Sequence, residues 1–301
     1  MKTTAFLHHQ VITGALCAGA VLLAAGASAQ TLYEADLYTG AINVFNSSGA
    51  ATTFVPSTES LGQEIAFNSS GYLFVANNRG PSITEISPNG TVSSFGSGFS
   101  QPSGVAVNSA GDVFVANEAT GQIFELSPNG STETVFASGL DDPAYLAFDS
   151  AGNLFESDWG SGDIYEFATD KTKTLFASGF QKPVGLAIDG AGDVYVANTV
   201  GGDVLEVTST GIKTVLSGLD DPQGLALNNA GDLFVAVPGP NNGYIEEVTS
   251  SGATMFSTQV ATPYGLAFAP VPEPSTLALL AMGASAVILR LRRNNKNVGQ
   301  N

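Results

Sequence analysis

The sequence predicts an all-β protein, a six-bladed β-propeller with four-stranded blades, and two observations carry that prediction. A strand-turn-strand pattern recurs with starts at Gly62, Pro102, Pro143, Pro183, Pro222 and Pro263, at intervals of 40, 41, 40, 39 and 41 residues, the period of a four-stranded blade. The last copy, Pro263 to Ala269, stops after one strand, whereas the stretch from Leu32 begins at a second strand. The N-terminal strands therefore complete the blade that the C-terminal strand begins. Five whole repeats and one split repeat make six blades, and the ring closes without a free sheet edge.

Each element of the unit has a local reason. The first strand reads Pro-x-Gly-apolar-Ala-apolar-Asn/Asp, and proline suits a strand start, where no ladder donor is needed. Asn108-Ser109-Ala110-Gly111, Asp149-Ser150-Ala151-Gly152 and Asn228-Asn229-Ala230-Gly231 supply turn formers with Gly where φ is positive. A small residue recurs as Ala66, Ala106, Ala147, Ala187, Ala226 and Ala267, expected where blades converge on the axis. The second strand carries Phe74, Phe114, Phe155, Tyr195, Phe234 and, at the N-terminus, Tyr33; these rings are expected in the core.

The units resemble NHL-type repeats, as in Gly185-Leu186-Ala187-Ile188-Asp189-Gly190-Ala191-Gly192-Asp193-Val194-Tyr195-Val196-Ala197-Asn198. The resemblance spans residues 30–270 and implies the propeller fold. It leaves function open, because such propellers serve as lyases, lactonases, receptors and scaffolds.

Composition narrows the classes. With 35 Gly among 301 residues and only 12% charged, the chain is neither a disordered acidic tail nor a coiled coil. A formal net charge of −17 repels phosphate backbones, so nucleic acid is not an expected partner. Cys17, His8 and His9 all fall within the first 29 residues. The rest of the chain therefore lacks disulfides, thiol nucleophiles and imidazole bases.

Both ends read as processing or sorting segments. Lys2, the apolar stretch Val11 to Ala25 and the small-x-small pattern Ala27-Ser28-Ala29 make residues 1–29 an expected signal peptide, cleaved before Gln30. Val271-Pro272-Glu273-Pro274-Ser275-Thr276 leads into the apolar Leu277 to Leu289, followed by Arg290, Arg292, Arg293 and Lys296. A transmembrane helix over 277–289 is expected, with the basic tail on the cytoplasmic side. Its thirteen residues rise only about 20 Å, short for a permanent anchor. Residues 271–301 resemble the PEP-CTERM sorting signal, which occurs on exported proteins of Gram-negative bacteria and is recognised by a membrane-embedded exosortase. That resemblance implies cleavage near Pro272, Glu273 and Pro274, passage from an inner-membrane precursor to the cell envelope or surface, and association with extracellular polysaccharide. A plain single-pass anchor is the alternative reading of the same segment.

Six-bladed relatives of the SMP-30 and gluconolactonase type hold a metal on the axis through side chains just before the inner-strand Gly. The matching positions here are Gln63, Ser103, Ala144, Val184, Gln223 and Tyr264, none a carboxylate, with Glu64 one residue away. Propeller lyases of the virginiamycin-lyase type use histidines, absent after residue 29. A second ring closes the second strands as Asp36, Asn77, Asn117, Asp158 and Asn198, broken by Val237; such residues bond the following loop's backbone or form a polar rim. Glu85, Glu125, Glu166, Glu206 and Glu247 recur once per blade and are expected to be solvated or locally bonded. Asp141-Asp142-Pro143, Asp220-Asp221-Pro222, and Asp158 with Asp163 around Trp159 concentrate loop carboxylates. Asp158, Asp163 and Glu64 are the calcium candidates, calcium being the one cofactor expected if any is. Trp159, the sole tryptophan, either stacks on a sugar or apolar partner from its loop or is a capped core ring. The expected function is non-catalytic binding or scaffolding at the cell surface or in the polysaccharide matrix. The alternative is a hydrolase or lyase of the lactonase class with an atypical carboxylate site.

Overall fold

The computed structural model describes residues 30–58, 62–239 and 243–271. The expected signal peptide, the 277–289 helix and the Pro272-Glu273-Pro274 motif lie outside the described residues. Among the described residues no helix is long and apolar enough to cross a membrane.

The described residues form six four-stranded sheets. Blade I contains β1 (Leu32–Asp36), β2 (Ile42–Phe45) and β3 (Ala51–Val55). Blade II contains β4 (Gly62–Phe67), β5 (Leu73–Asn77), β6 (Ile83–Ile86) and β7 (Val92–Phe95). Blade III is β8 (Pro102–Val107), β9 (Val113–Asn117), β10 (Gln122–Leu126) and β11 (Glu133–Ser138), with a 3-10 turn at Glu118–Thr120. Blade IV is β12 (Pro143–Phe148), β13 (Leu154–Asp158), β14 (Asp163–Phe167) and β15 (Lys173–Ser178). Blade V is β16 (Pro183–Ile188), β17 (Val194–Asn198), β18 (Asp203–Thr208) and β19 (Gly211–Ser217). Blade VI is β20 (Leu225–Leu227), β21 (Leu233–Val237), β22 (Gly243–Thr249) and β23 (Gly252–Val260). The chain ends on β24 (Pro263–Phe268), which pairs antiparallel with β1 and gives blade I the order β24-β1-β2-β3. The split-blade closure is thus a register of backbone bonds, with Leu32 opposite Phe268 and Tyr33 opposite Ala267.

The recurrent alanine has a different cause from the expected convergence at the axis. In every blade it lies directly across from the second-strand aromatic: Ala66 from Phe74, Ala106 from Phe114, Ala147 from Phe155, Ala187 from Tyr195, Ala226 from Phe234 and Ala267 from Tyr33. A ring and a methyl fill the pair without overpacking. Phe74, Phe114, Phe155 and Phe234 are buried, and each meets another ring edge-on at about 5 Å, as Phe74 meets Phe95 at 5.0 Å. The core is correspondingly six clusters, each between two neighbouring blades.

The crowding at the axis falls instead on the glycine of Pro-x-Gly. A Cβ on Gly185 would lie 2.1 Å from the Gln223 carbonyl oxygen, on Gly224 2.0 Å from that of Tyr264, and on Gly265 2.1 Å from that of Gln63. At these joints, and at Gly104, where a Cβ would lie 2.5 Å from the Ala144 carbonyl oxygen, the inner strand runs against the backbone of the next at a distance only glycine permits. The inner-strand pairing is irregular at the same place, between Pro102 and Gly104, Pro143 and Tyr145, Pro183 and Leu186, and Gly62 and Ile65. In blade VI the irregularity shortens β20 to three residues, although Gln223 N–H still donates to the Ala236 carbonyl at 2.9 Å. Such bulges re-aim a side chain, and here they turn the residue after the proline toward the axis.

Two outcomes test this architecture. Gly185→Ala should lower the unfolding free energy by about 1–3 kcal/mol or more in denaturant titration, whereas Gly190→Ala, with open space around its Cβ position, should stay within about 0.5 kcal/mol of the parent. Removing residues 30–56 leaves blade I with β24 alone and should destabilise the whole body; cooperative unfolding at an unchanged midpoint would refute the closure.

Candidate functional site

The six residues that follow the inner-strand starts, Gln63, Ser103, Ala144, Val184, Gln223 and Tyr264, all line one cavity of about 310 Å³. Its remaining wall is Tyr145, Glu118, Asp142, Trp159, Thr199, Val200 and Asp221. The volume sits at the small end of the range of ligand pockets, roughly 300–1,000 Å³. Sequence spacing located the six axial positions; the loop residues that complete the wall come from the turns after second strands and the crossings into inner strands.

Those loops are held by the second ring of polar residues. Asp158 accepts the N–H groups of Asp141 at 2.8 Å, Asp142 at 3.3 Å and Ser161 at 2.9 Å. Asn117 accepts Ser100 N–H at 2.7 Å, Asn198 accepts Gln181 N–H, and Asp36 accepts Thr262 N–H at 3.0 Å. Each side chain clips the incoming crossing to its own blade, so the ring is a set of backbone clamps. Asn77 differs: its amide donates to Thr84 Oγ1 at 2.6 Å, and its oxygen is buried without a partner. The residue before the proline is left-handed in three blades, Gln101, Lys182 and Asp221 at φ 57°, 60° and 63°. Strain of this kind costs about 1–3 kcal/mol per residue and collects at functional sites.

Glu64 stands where four other blades have the inner-strand glycine, and Tyr145 stands there in blade IV. The Glu64 side chain from blade II passes over Gly104 of blade III, whose Cβ position is 3.0 Å from Glu64 Oε2. That oxygen accepts Val105 N–H at 2.7 Å and Leu146 N–H at 3.0 Å. One carboxyl group therefore joins blades II, III and IV. Burial pushes its pKa well above the carboxylate range, against the lowering by the two N–H donors. The Tyr145 hydroxyl is buried without a hydrogen-bond partner, and burial, with Tyr264 and Glu64 nearby, pushes it up as well.

The three calcium candidates are divided between two settings. Asp158 and Asp163 face each other across β13 and β14, but Asp158 is occupied by the backbone donors above and Asp163 accepts the Tyr165 hydroxyl at 3.1 Å. Glu64 is bonded on the inner strands. Among the described residues no three carboxylates converge in a metal-holding group. Of the third-strand acids, Glu125 pairs with Lys171 of the next blade at 2.9 Å, and Glu206 pairs with Lys213 of its own blade at 3.0 Å.

Sequence reasoning passed over two buried acids. Glu34 and Glu156 occupy a second-strand slot that holds Val75, Val115, Val196 and Val235 in the other blades, and blades I and IV stand opposite each other in a ring of six. Both are fully buried. Glu34 accepts Asn43 Nδ2–H at 2.8 Å through one oxygen while the other has no partner, and neither Glu156 oxygen has one. The signal was present as LYEAD and LFESD among strands that otherwise read LFVAN, VFVAN, VYVAN and LFVAV. Burial, with Asp36 adding to it, raises the Glu34 pKa to about 8. Burial, then Asp158, pushes Glu156 well above the usual range.

Comparison with known proteins follows this geometry. An NHL repeat matches residues 99–126, and a PEP-CTERM protein-sorting motif matches residues 270–293. No curated protein sequence matches the chain. A chain of the nidogen/laminin complex superposes with TM-score 0.72 at 18% identity, over 81% of this chain and 99% of that one. Virginiamycin B lyase from Staphylococcus aureus gives 0.60 at 17% identity, over 76% and 82%. A protein assigned as a gluconolactonase gives 0.58 at 14%, over 67% and 79%. These likenesses establish the fold: a six-bladed β-propeller with NHL- and SMP-30-like structural neighbours. More particularly, this propeller carries an NHL repeat and a PEP-CTERM motif, a sorting signal that exosortase-type enzymes recognise and that implies an exported, envelope-sorted protein.

The buried acids predict a pH dependence. Glu34 binds its proton more tightly in the folded chain (pKa about 8) than at its ordinary value of 4.5, so the folded state holds more protons between those pH values. Stability should therefore be greatest below about pH 4.5 and fall by about 1.4 kcal/mol per pH unit toward pH 8 from this group alone. Glu34→Gln should flatten that slope in denaturant titrations across the range, and Glu156→Gln should act in the same direction.

Proposed function

We propose that the protein is an exported, non-catalytic saccharide-binding propeller, sorted to the cell envelope and acting at the cell surface or in the extracellular polysaccharide matrix. The axial cavity is the observation that carries this reading. Its wall combines Trp159, 39% exposed, with the amides of Gln63 and Gln223 and the Tyr145 hydroxyl, the mixture of stacking face and hydrogen-bonding groups that a sugar ring uses. Glu64 is engaged by two backbone N–H groups, which supports a positioning role over attack on a substrate. Calcium would then act at the surface. Residues 30–272 hold 26 acidic and five basic residues, a net charge of −21, and a divalent cation would bridge that surface to an anionic polymer.

One observation favours the alternative hydrolase or lyase. A buried carboxyl group whose pKa burial raises, beside an unpartnered tyrosine hydroxyl, is an arrangement from which acid catalysis is built. Lactone and glycan turnover by the parent and by Glu64→Gln separates the two readings: turnover abolished in that variant supports the enzyme, and saccharide retention without turnover supports the binder.

Two further outcomes are expected. Trp159→Ala should weaken retention on the native envelope polysaccharide at least tenfold while leaving the thermal midpoint near that of the parent, as measured by affinity electrophoresis and calorimetry. Replacing Pro272, Glu273 and Pro274 with alanines leaves the apolar run untouched and should hold the precursor in the membrane. Mass spectrometry of the C-terminal peptide from native envelope reads this directly, and an intact tail through Asn301 on surface protein would reduce the segment to an ordinary anchor.

A further inference from the structure

We propose that the sugar bound in the axial cavity bears a free primary ammonium group, so that the preferred ligand is a deacetylated hexosamine unit of a glycan; this rests on the saccharide reading above. The first observation is an internal one. Lys182 Nζ lies 3.7 Å from the centroid of the Trp159 ring; burial, then Asp158 and Asp141, raise the Asp142 pKa, and the Lys182 charge opposes them. The corner made by Trp159 and Asp142 thus already receives an ammonium group from the protein's own chain, on the loop that enters blade V. Cation-π contact and a nearby carboxylate are the two attractions such a group uses.

The second observation is unmet hydrogen bonding inside the cavity. Gln223 is 3% exposed; burial raises the pKa of the neighbouring Asp221 and the Gln223 side chain opposes that rise, while Gln223 Oε1 is a buried acceptor with no partner. Tyr145, 2% exposed, presents a hydroxyl that likewise has none. A buried acceptor without a donor is destabilising, and a ligand carrying N–H or O–H groups supplies the missing donor.

The third is the imbalance of charge. Glu118, Asp142 and Asp221 all line the cavity, and the repulsion between Glu118 and Asp142 is felt at Glu118. Among the described residues Lys182 sits over the Trp159 ring and forms no ion pair with any of the three carboxylates. An ammonium-bearing sugar adds the missing positive charge, supplies donors to Gln223 Oε1 and the carboxylates, and offers a ring face to Trp159. A uronic acid would add a fourth negative charge to the same wall. An N-acetylated hexosamine keeps the stacking face and loses the charge.

Isothermal titration of the full chain with three probes tests this: tetramers of glucosamine, of N-acetylglucosamine and of galacturonic acid. The glucosamine tetramer should bind at least tenfold more tightly than the N-acetylated one, with the advantage shrinking as salt is raised. Asp221→Asn and Asp142→Asn should each weaken it severalfold while leaving the N-acetylated tetramer unaffected, provided circular dichroism shows the variant folded. Lys182→Gln, which removes the internal competitor, should tighten the glucosamine tetramer severalfold. Equal or tighter binding of the N-acetylated tetramer, or weakening by Lys182→Gln, overturns the ammonium proposal and leaves the saccharide reading standing. Preference for galacturonate overturns the charge argument in the same way. Absence of binding to all three at millimolar concentration overturns this proposal and counts against saccharide binding itself.

Discussion

Contact between the inner strands around the axis is the constraint on which the rest of the molecule depends. At Gly185, Gly224 and Gly265 the backbone of one blade approaches a carbonyl oxygen of the next so closely that a single methyl group would overlap it. Six sheets can share one axis only at that spacing, and the spacing decides what can line the centre. The residue before each glycine is turned inward and becomes cavity wall, while the glycine itself becomes the joint. Where the joint is not glycine, the structure uses the exception. Glu64 extends across Gly104 to take N–H groups from two further blades, and Tyr145 presents its hydroxyl beside it.

A second layer of organisation follows from where the acids are placed. Asp36 and Asp158 are nearly buried, yet each carboxylate is surrounded by backbone donors, so burial there costs little. Glu34 and Glu156 have few or no donors, and burial raises the pKa of both, which favours the uncharged form and costs stability as pH rises. Glu125 and Glu206 remain near solvent and pair with lysines, an arrangement worth at most about 1 kcal/mol per pair. One residue type thus plays three parts according to how many donors reach it. The acids at the cavity mouth form a fourth group: partly buried, mutually repelling, and open to a ligand.

The propeller supplies a rigid frame, and its relatives by shape include a lyase and a laminin-complex component, so shape alone does not choose a function. What distinguishes this chain is the content of its axis. An exposed indole, paired amides and rim carboxylates are assembled from loops of different blades, and the clamps at Asn117, Asp158 and Asn198 keep those loops in register. The C-terminal motif is a sorting signal.

Much of this was legible in the sequence because a repeat states the same solution several times. The 40-residue period, the split of the last copy between the two ends, the six axial positions and the clamp series could all be read by superposing units, since each copy averages out local noise. The tail motif was legible for another reason: its parts are contiguous and need no folding to be recognised. What repetition hides is the meaning of its exceptions. Glu34 and Glu156 read as polar substitutions in a strand, and only the packing of the adjacent blade makes them buried acids without partners. Glu64 reads as a near miss for a metal ligand until the room above Gly104 shows where its carboxyl group goes. Asp158 and Asp163 flank Trp159 in the sequence and Glu64 neighbours an axial position; in the fold Asp158 closes a second strand while Glu64 lies on an inner one. Local propensity and period, which are properties of neighbours in the chain, were set by the sequence itself; the cavity wall, the buried acids and the contact of Lys182 with Trp159 join residues from different elements, and only closure of the ring brings those atoms within reach of one another.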